Sequence, residues 1–213
     1  VNTLGIEHEA KFMLGDCRDM EPRLHSMGRL CTPWHFESNT VYDRDGELAA
    51  SGRLLRLRSA HTATQTSTLT FKEPAPGHEK GGIKSRIERE IIVQDPCAMD
   101  AILRGLGYAP QLRYEKFRAV WELPRGLVFL DILPFGHFLE IEAEPRSITD
   151  IAQAIGLDPG SAMDKSYHSL HRSWRRRQGL APLDDFVFDE AERHLLTIRL
   201  GLRPRPQGEI HAD

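Results

Sequence analysis

The residues in this chain that could do chemistry alternate with apolar ones. Glu7, Glu9 and Lys11 occupy every second position of "GIEHEAKFML", with Ile6, Ala10 and Phe12 among the residues between them. In a strand, such spacing puts the three charges on one face. The pattern recurs. Arg56 and Arg58 share a face of "RLLRLRSA", and Lys72 sits in "STLTFKE". Arg86, Glu88 and Glu90 share a face of "SRIEREIIV", Lys116 and Arg118 a face of "LRYEKFRAVWEL", and Glu140 and Glu142 a face of "FLEIEAE". Asp131 stands inside the apolar run "LVFLDILPF". Any one of these pairs reads equally as the wet face of an amphipathic sheet. Their grouping is less ordinary: paired acids lie near both ends of the pattern and cations concentrate between them. If the sheet curls into a barrel of about eight strands, these faces point into an interior wide enough for one small ligand. Several carboxylates with no soft donor suit a hard divalent cation such as Mg²⁺ or Mn²⁺. A surplus of Lys and Arg suits phosphate oxygens, which Arg grips with two donors at once. Metal and cations together point to a triphosphate.

The elements that must carry these residues can be read along the chain. Strands are expected over 4–13, 34–43, 53–60, 67–73, 85–93, 112–123, 127–135 and 138–144. A turn is expected at "RDG" and a hairpin around "PRG". Helices are expected over 19–28, over 95–107 with Asp95 as cap and Pro96 at its first position, over 147–157 capped by Ser147, from about Met163 to Arg177, and near Asp189–Leu200. The stretch 73–84 reads as a loop at the mouth of any cavity, and 203–213 as a tail. Hairpins with interspersed helices give an α+β fold with a mainly antiparallel sheet.

Composition excludes several classes. The 213 residues carry a formal net charge of −3, with 40 % hydrophobic and 28 % charged residues, so no global field draws the chain to nucleic acid or to an acidic membrane. The cluster Arg172, Arg175, Arg176 and Arg177 reads as the solvated end of a helix. Three cysteines, Cys17, Cys31 and Cys97, form no C-x-x-C pair and fit a reducing cytoplasm better than a disulfide framework. The chain has no apolar run of about 18 residues and no basic-then-apolar leader pattern. His168 and His171 lack a third ligand nearby for zinc. His8 and His137 are expected to face away from the acids, and Trp34, Trp121 and Trp174 to serve packing or the rim.

The ordered set of motifs resembles the CYTH superfamily, the triphosphate tunnel metalloenzymes. Glu-x-Glu-x-Lys at 7–11 is followed by "LRLR" at 55–58, "LTFK" at 69–72, "RIERE" at 86–90, "KFR" at 116–118, "FLDILPFGHFLEIEAE" at 129–144 and "KSYHSL" at 165–170. The match runs over roughly residues 4–171. We therefore take 1–171 as the tunnel domain and 172–213 as a C-terminal helical extension and tail, to which the resemblance carries no role. The resemblance implies an eight-stranded antiparallel β-barrel, a tunnel with helices packed outside. It implies metal binding by Glu7, Glu9, Glu140 and Glu142, assisted by Glu88, Glu90 and Asp131. It implies phosphate contacts by Lys11, Arg56, Arg58, Lys72, Arg86, Lys116 and Arg118, with Lys165 over the tunnel from a helix. The expected cofactor is Mg²⁺ or Mn²⁺, the expected partner a small triphosphate-bearing molecule, and family analogy allows a homodimer. Within the family, hydrolysis of a triphosphate is the favoured reaction. Cyclisation of ATP by a class IV adenylate cyclase is the alternative, because "LTFKEPAP", "LRGLGY" and "KFRAVWEL" are similar to that branch. A non-catalytic binder of polyphosphate or nucleotide is the second alternative.

Overall fold

The structure is a computed structural model that describes residues 5–62, 64–76 and 82–202. In chain order the strands are β1 (Ile6–Leu14), β2 (Arg29–Asp43), β3 (Leu54–His61), β4 (Gln65–Pro74), β5 (Lys84–Val93), β6 (Ala109–Leu123), β7 (Gly126–Leu133) and β8 (Gly136–Ala143). The helices are α1 (Glu21–Met27), α2 (Glu47–Ala50), α3 (Pro96–Gly105), α4 (Pro145–Ala154), α5 (Tyr167–Arg177) and α6 (Glu190–Arg199). The strands close into one antiparallel barrel in the order β1-β5-β4-β3-β2-β6-β7-β8.

Closure inverts the usual placement of polar and apolar residues. The hydrophobic core lies outside the barrel. Ala10 and Phe12 of β1, Phe117, Ala119 and Trp121 of β6, Val128 and Leu130 of β7, and Leu139 and Ile141 of β8 are buried there against Leu24 of α1 and Ile148, Ile151 and Ala152 of α4. A smaller cluster of Tyr42, Leu57, Val93 and Leu103 seats α3, and Leu112, Leu133, Phe138, Tyr167 and Leu170 seat α5. With helices covering the outside apolar faces, the alternating charged faces have only the lumen left.

The long strands overhang their neighbours, and later chain segments take up the exposed edges. Beyond Glu9, where the pairing of β1 with β5 ends, the backbone of Lys11 exchanges two hydrogen bonds with Met163, at 3.2 and 2.8 Å. β7 pairs with β6 only from Phe117 to Leu123, and farther along the same strand Tyr114 forms a parallel bridge with Phe186.

Two local expectations are corrected. The fourth helix starts at Pro145 with Glu144 in the cap position and no side-chain cap, so Ser147 sits in its first turn. A proline at the first position has a preset φ and no N–H to satisfy, which makes it a good starter by itself. The fifth helix begins at Tyr167, not Met163, because Met163 is bonded to β1, and Ser166 caps the helix by accepting from the Ser169 N–H. The turn expected at "RDG" is present, and the short helix α2 follows it, anchored by the Asp43 carboxylate, which accepts from the N–H groups of Leu48 (2.9 Å) and Ala49 (3.0 Å). The tail 203–213 and residues 77–81 of the expected loop lie outside the described residues.

Candidate active-site tunnel

Cross-strand register decides which charges meet. Lys11 is the partner of Glu140, Glu9 of Glu142, and Glu7 of Arg86. Lys72 is the partner of Glu88, Lys116 of Glu37, and Arg118 of Asp131. Thr70 stands between Arg56 and Glu90. Apart from the like-charged pair Glu9 and Glu142, neighbours of opposite sign thus sit side by side around the lumen, which is how so many ions can share one interior. Of these, all but Glu37, Thr70 and Asp131 line a cavity of about 820 Å³.

One wall is acidic. Glu9, Glu140 and Glu142 each offer a carboxylate oxygen, and the three oxygens lie within 4.8 Å of one another. The Lys11 ammonium bridges two of them, at 2.9 Å from Glu9 and 3.0 Å from Glu140. Burial alone would raise the Glu9 and Glu140 carboxyls, but Lys11 and the neighbouring cations outweigh it and hold both below the ordinary range, Glu140 well below. Glu142 feels the charges of Arg118 and Lys72 too weakly to offset its surroundings. Burial, with the negative charge of Glu140 beside it, pushes Glu142 up to about 7. Burial and a hydrogen bond with Glu88 push Glu7 up to about 8, although Lys72 lies 3.2 Å away. Glu88 itself pairs with Lys72 and is held low: the hydrogen bond from Glu7 and the charge of Lys72 outweigh its burial.

The opposite wall is cationic and rigidly held. Asp131 has no exposure to solvent. It accepts from Arg118 Nε at 2.7 Å and Nη2 at 2.6 Å, from Lys116 Nζ at 3.2 Å and from the Tyr167 hydroxyl at 2.8 Å. Arg118 also reaches Glu140, which links the two walls. Arg56 donates to Thr70 Oγ1 (3.3 Å) and to the Tyr114 hydroxyl (3.1 Å), and Thr70 donates to Glu90 at 2.7 Å. Arg58 grips both oxygens of Glu90, at 3.2 and 3.1 Å.

Every residue picked out from the sequence lines this cavity except Asp131 and Lys165. Asp131 lies behind the cationic wall with its oxygens already taken by four donors. Lys165 is exposed, in the extended segment before α5 and not on a helix. Glu90 lines the cavity but is turned to Arg58 and Thr70 instead of joining the acidic cluster. His8 bonds Ser85, His137 accepts from the Cys17 N–H, and the His171 ring packs between Phe135 and Trp174, so none of these joins the acids. Residues passed over in the sequence also contribute. Lys84 lines the cavity opposite Glu9, and its spacing from Arg86 repeats the alternation. Glu37, 2 % exposed, faces Lys116 at 3.6 Å and Arg58 at 3.8 Å. Burial would raise its carboxyl, but Lys116, His35 and the arginines hold it well down.

A family model described as the CYTH domain matches residues 5–167. The chain belongs to the CYTH family. Solved structures agree on the fold. PH1012 of Pyrococcus horikoshii OT3 is 24 % identical, with a TM-score of 0.64 over 76 % of this chain and 96 % of its own. A Vibrio parahaemolyticus protein described as a candidate adenylate cyclase is 18 % identical, with a TM-score of 0.68 over 78 % and 97 %. A Hippeastrum protein described as a candidate adenylyl cyclase that reveals a dominant triphosphatase activity is 17 % identical, with a TM-score of 0.58 over 84 % and 98 %. No curated protein sequence matches the chain significantly.

CYTH membership implies a triphosphate ligand and a divalent metal, and the donor set fits one. Glu9, Glu140 and Glu142 offer only oxygens, the choice of a hard cation. Glu142, whose carboxyl burial and the charge of Glu140 push up to about 7, is the member of this cluster with most to gain from such an ion. Among the described residues no helix is long and apolar enough to cross a membrane.

Proposed function

We propose that this CYTH protein is a metal-dependent phosphohydrolase that takes a triphosphate compound into the tunnel and releases its terminal phosphate, with Mg²⁺ or Mn²⁺ as cofactor. The observation that carries this reading is the Glu9–Glu140–Glu142 cluster sharing one cavity of a closed barrel with a set of Lys and Arg side chains. An anion binder without metal chemistry would gain nothing from three convergent carboxylates.

Glu9, Glu140 and Glu142 would hold the cation, with Glu7 and Glu88 beside them. The chemistry the cation supplies when bound is Lewis-acid neutralisation of phosphate charge. Arg56, Arg58, Lys72, Lys84, Arg86, Lys116 and Arg118 bind the phosphate oxygens and stabilise charge on the transferring and leaving groups. Asp131 is a positioning residue: it orients Arg118 and Lys116 in advance, so little reorganisation is left for the reaction. Lys11 holds positive charge at Glu9 and Glu140 in the free protein, and it would be available to the phosphates were a cation held by those acids. Lys165, exposed next to α5, contributes only from the mouth. The Hippeastrum relative illustrates that this fold can host triphosphatase activity. Three free cysteines, two of them exposed, suit the reducing cytoplasm as the working compartment.

The test is product analysis. The protein is incubated with ATP or tripolyphosphate, with Mg²⁺ or Mn²⁺ and with chelator, and the products are separated. Metal-dependent orthophosphate release is expected. Cyclic AMP and pyrophosphate as the main products from ATP would replace hydrolysis by cyclisation. Tight binding with no turnover under either metal would make the protein a binder.

A further inference from the structure

The cavity is not charged throughout. Towards the end where β2 joins β3 through α2, its wall includes Val41, Leu48, Leu54 and Leu112, and next to them the rings of Tyr114 and Phe186. Phe186 comes from the C-terminal extension. There the backbone runs along the overhanging edge of β6: Glu115 N–H donates to the Phe186 carbonyl (3.1 Å) and Phe186 N–H to the Arg113 carbonyl (3.0 Å). Side chains lock the register, with Arg113 N–H on the Asp185 carboxylate (2.8 Å) and Phe188 N–H on that of Glu115 (3.1 Å). Phe186 is 3 % exposed, and its ring stacks on Tyr114 with centroids 5.0 Å apart and planes 22° apart. At the rim, Asp184 accepts from or shares a proton with His168 at 2.8 Å, and both line the cavity.

A polyphosphate chain is ionic along its whole length and has no apolar surface to remove from water. An apolar and aromatic wall therefore adds nothing to its binding, whereas an organic group gains from every apolar ångström it covers. A cavity of about 820 Å³ also lies in the upper part of the range that encloses organic ligands. The family model ends at residue 167, so the wall that Asp184 and Phe186 supply is not part of the pattern it matches.

We propose that the segment 184–188 selects the substrate, Phe186 by walling the apolar end of the tunnel and Asp184 by setting a carboxylate at its mouth, so that the enzyme prefers a triphosphate carrying an organic group to bare tripolyphosphate. This rests on the triphosphate reading above. The carboxylate disfavours the more highly charged inorganic chain, and the rings contact the organic group.

The experiment compares kcat/KM of the full chain for tripolyphosphate with that for ATP, GTP, CTP and thiamine triphosphate, under Mg²⁺ and Mn²⁺, for wild type, Phe186→Leu and Asp184→Asn. Wild type should favour at least one organic compound about tenfold or more over tripolyphosphate. Phe186→Leu should lower that ratio about tenfold by removing the aromatic contact, and Asp184→Asn about threefold. If Phe186→Leu does not fold, Asp184→Asn, whose side chain is largely in solvent, decides alone. A wild type that prefers tripolyphosphate, or folded variants that keep the ratio within twofold, overturns the inference. A wild type that turns over none of the compounds overturns the triphosphate reading and this inference with it.

Discussion

Glu142 offers a quantitative test of the acidic cluster. Its carboxyl is pushed up to about 7 by burial and by Glu140, while its neighbours Glu9 and Glu140 are held low by Lys11. A group at that value is roughly nine-tenths protonated at pH 6 and one-tenth at pH 8. A divalent cation must displace the proton, so binding through Glu142 should be about tenfold weaker at pH 6 than at pH 8, about 1.4 kcal/mol. Glu7, at about 8, adds a further ~50-fold over the same range if its charge is also required. Titration calorimetry with Mn²⁺ and no substrate, from pH 6 to 8 in buffers of different ionisation enthalpy, yields both the affinity and the protons released. Glu142→Gln should weaken binding at pH 8 and remove a tenfold share of the pH dependence together with the proton that Glu142 releases. The slope that remains reports Glu7. A Gln variant with the full wild-type slope and proton count would refute the reasoning, since Glu142 would then not be a proton-linked ligand.

Two further substitutions separate holding the wall from holding the ion. Asp131→Asn leaves Arg118 and Lys116 buried without their main counter-charge and should cost about 3–5 kcal/mol in urea unfolding, with Mn²⁺ affinity moving less than about threefold; a stable variant that has lost Mn²⁺ would make Asp131 a ligand after all. Lys11→Met removes the ammonium that competes for Glu9 and Glu140. It should melt at lower temperature without metal yet gain more from added Mn²⁺ than wild type does, and an equal or smaller gain would show that Lys11 does not stand in the ion's place.

Much of the site was legible because a strand has a period of two. Alternation alone says that Glu7, Glu9 and Lys11 share a face, as do Arg86, Glu88 and Glu90, and the helix starts at Pro96 and Asp189 were marked by capping residues. Lys84 obeys the same alternation but was hidden in a stretch whose Pro and Gly read as loop. The motif order carried the family resemblance, and with it the closed barrel.

Period two does not say which face is dry. A solvent-facing sheet and the lumen of a barrel have the same local dihedrals and the same alternation, and closure over eight strands makes the difference. Which charges touch is likewise a matter of register between strands far apart in sequence, as with Lys11 and Glu140. That Asp131 is saturated by four donors, that Lys165 stays outside, and that 184–188 runs along the edge of β6 were decided by packing, because an isolated bridge such as that at Phe186 leaves no periodic trace in the chain. Local sequence determined the faces of the strands; tertiary closure decided that those faces meet, since the cost of burying so many charges is offset only when opposite signs converge.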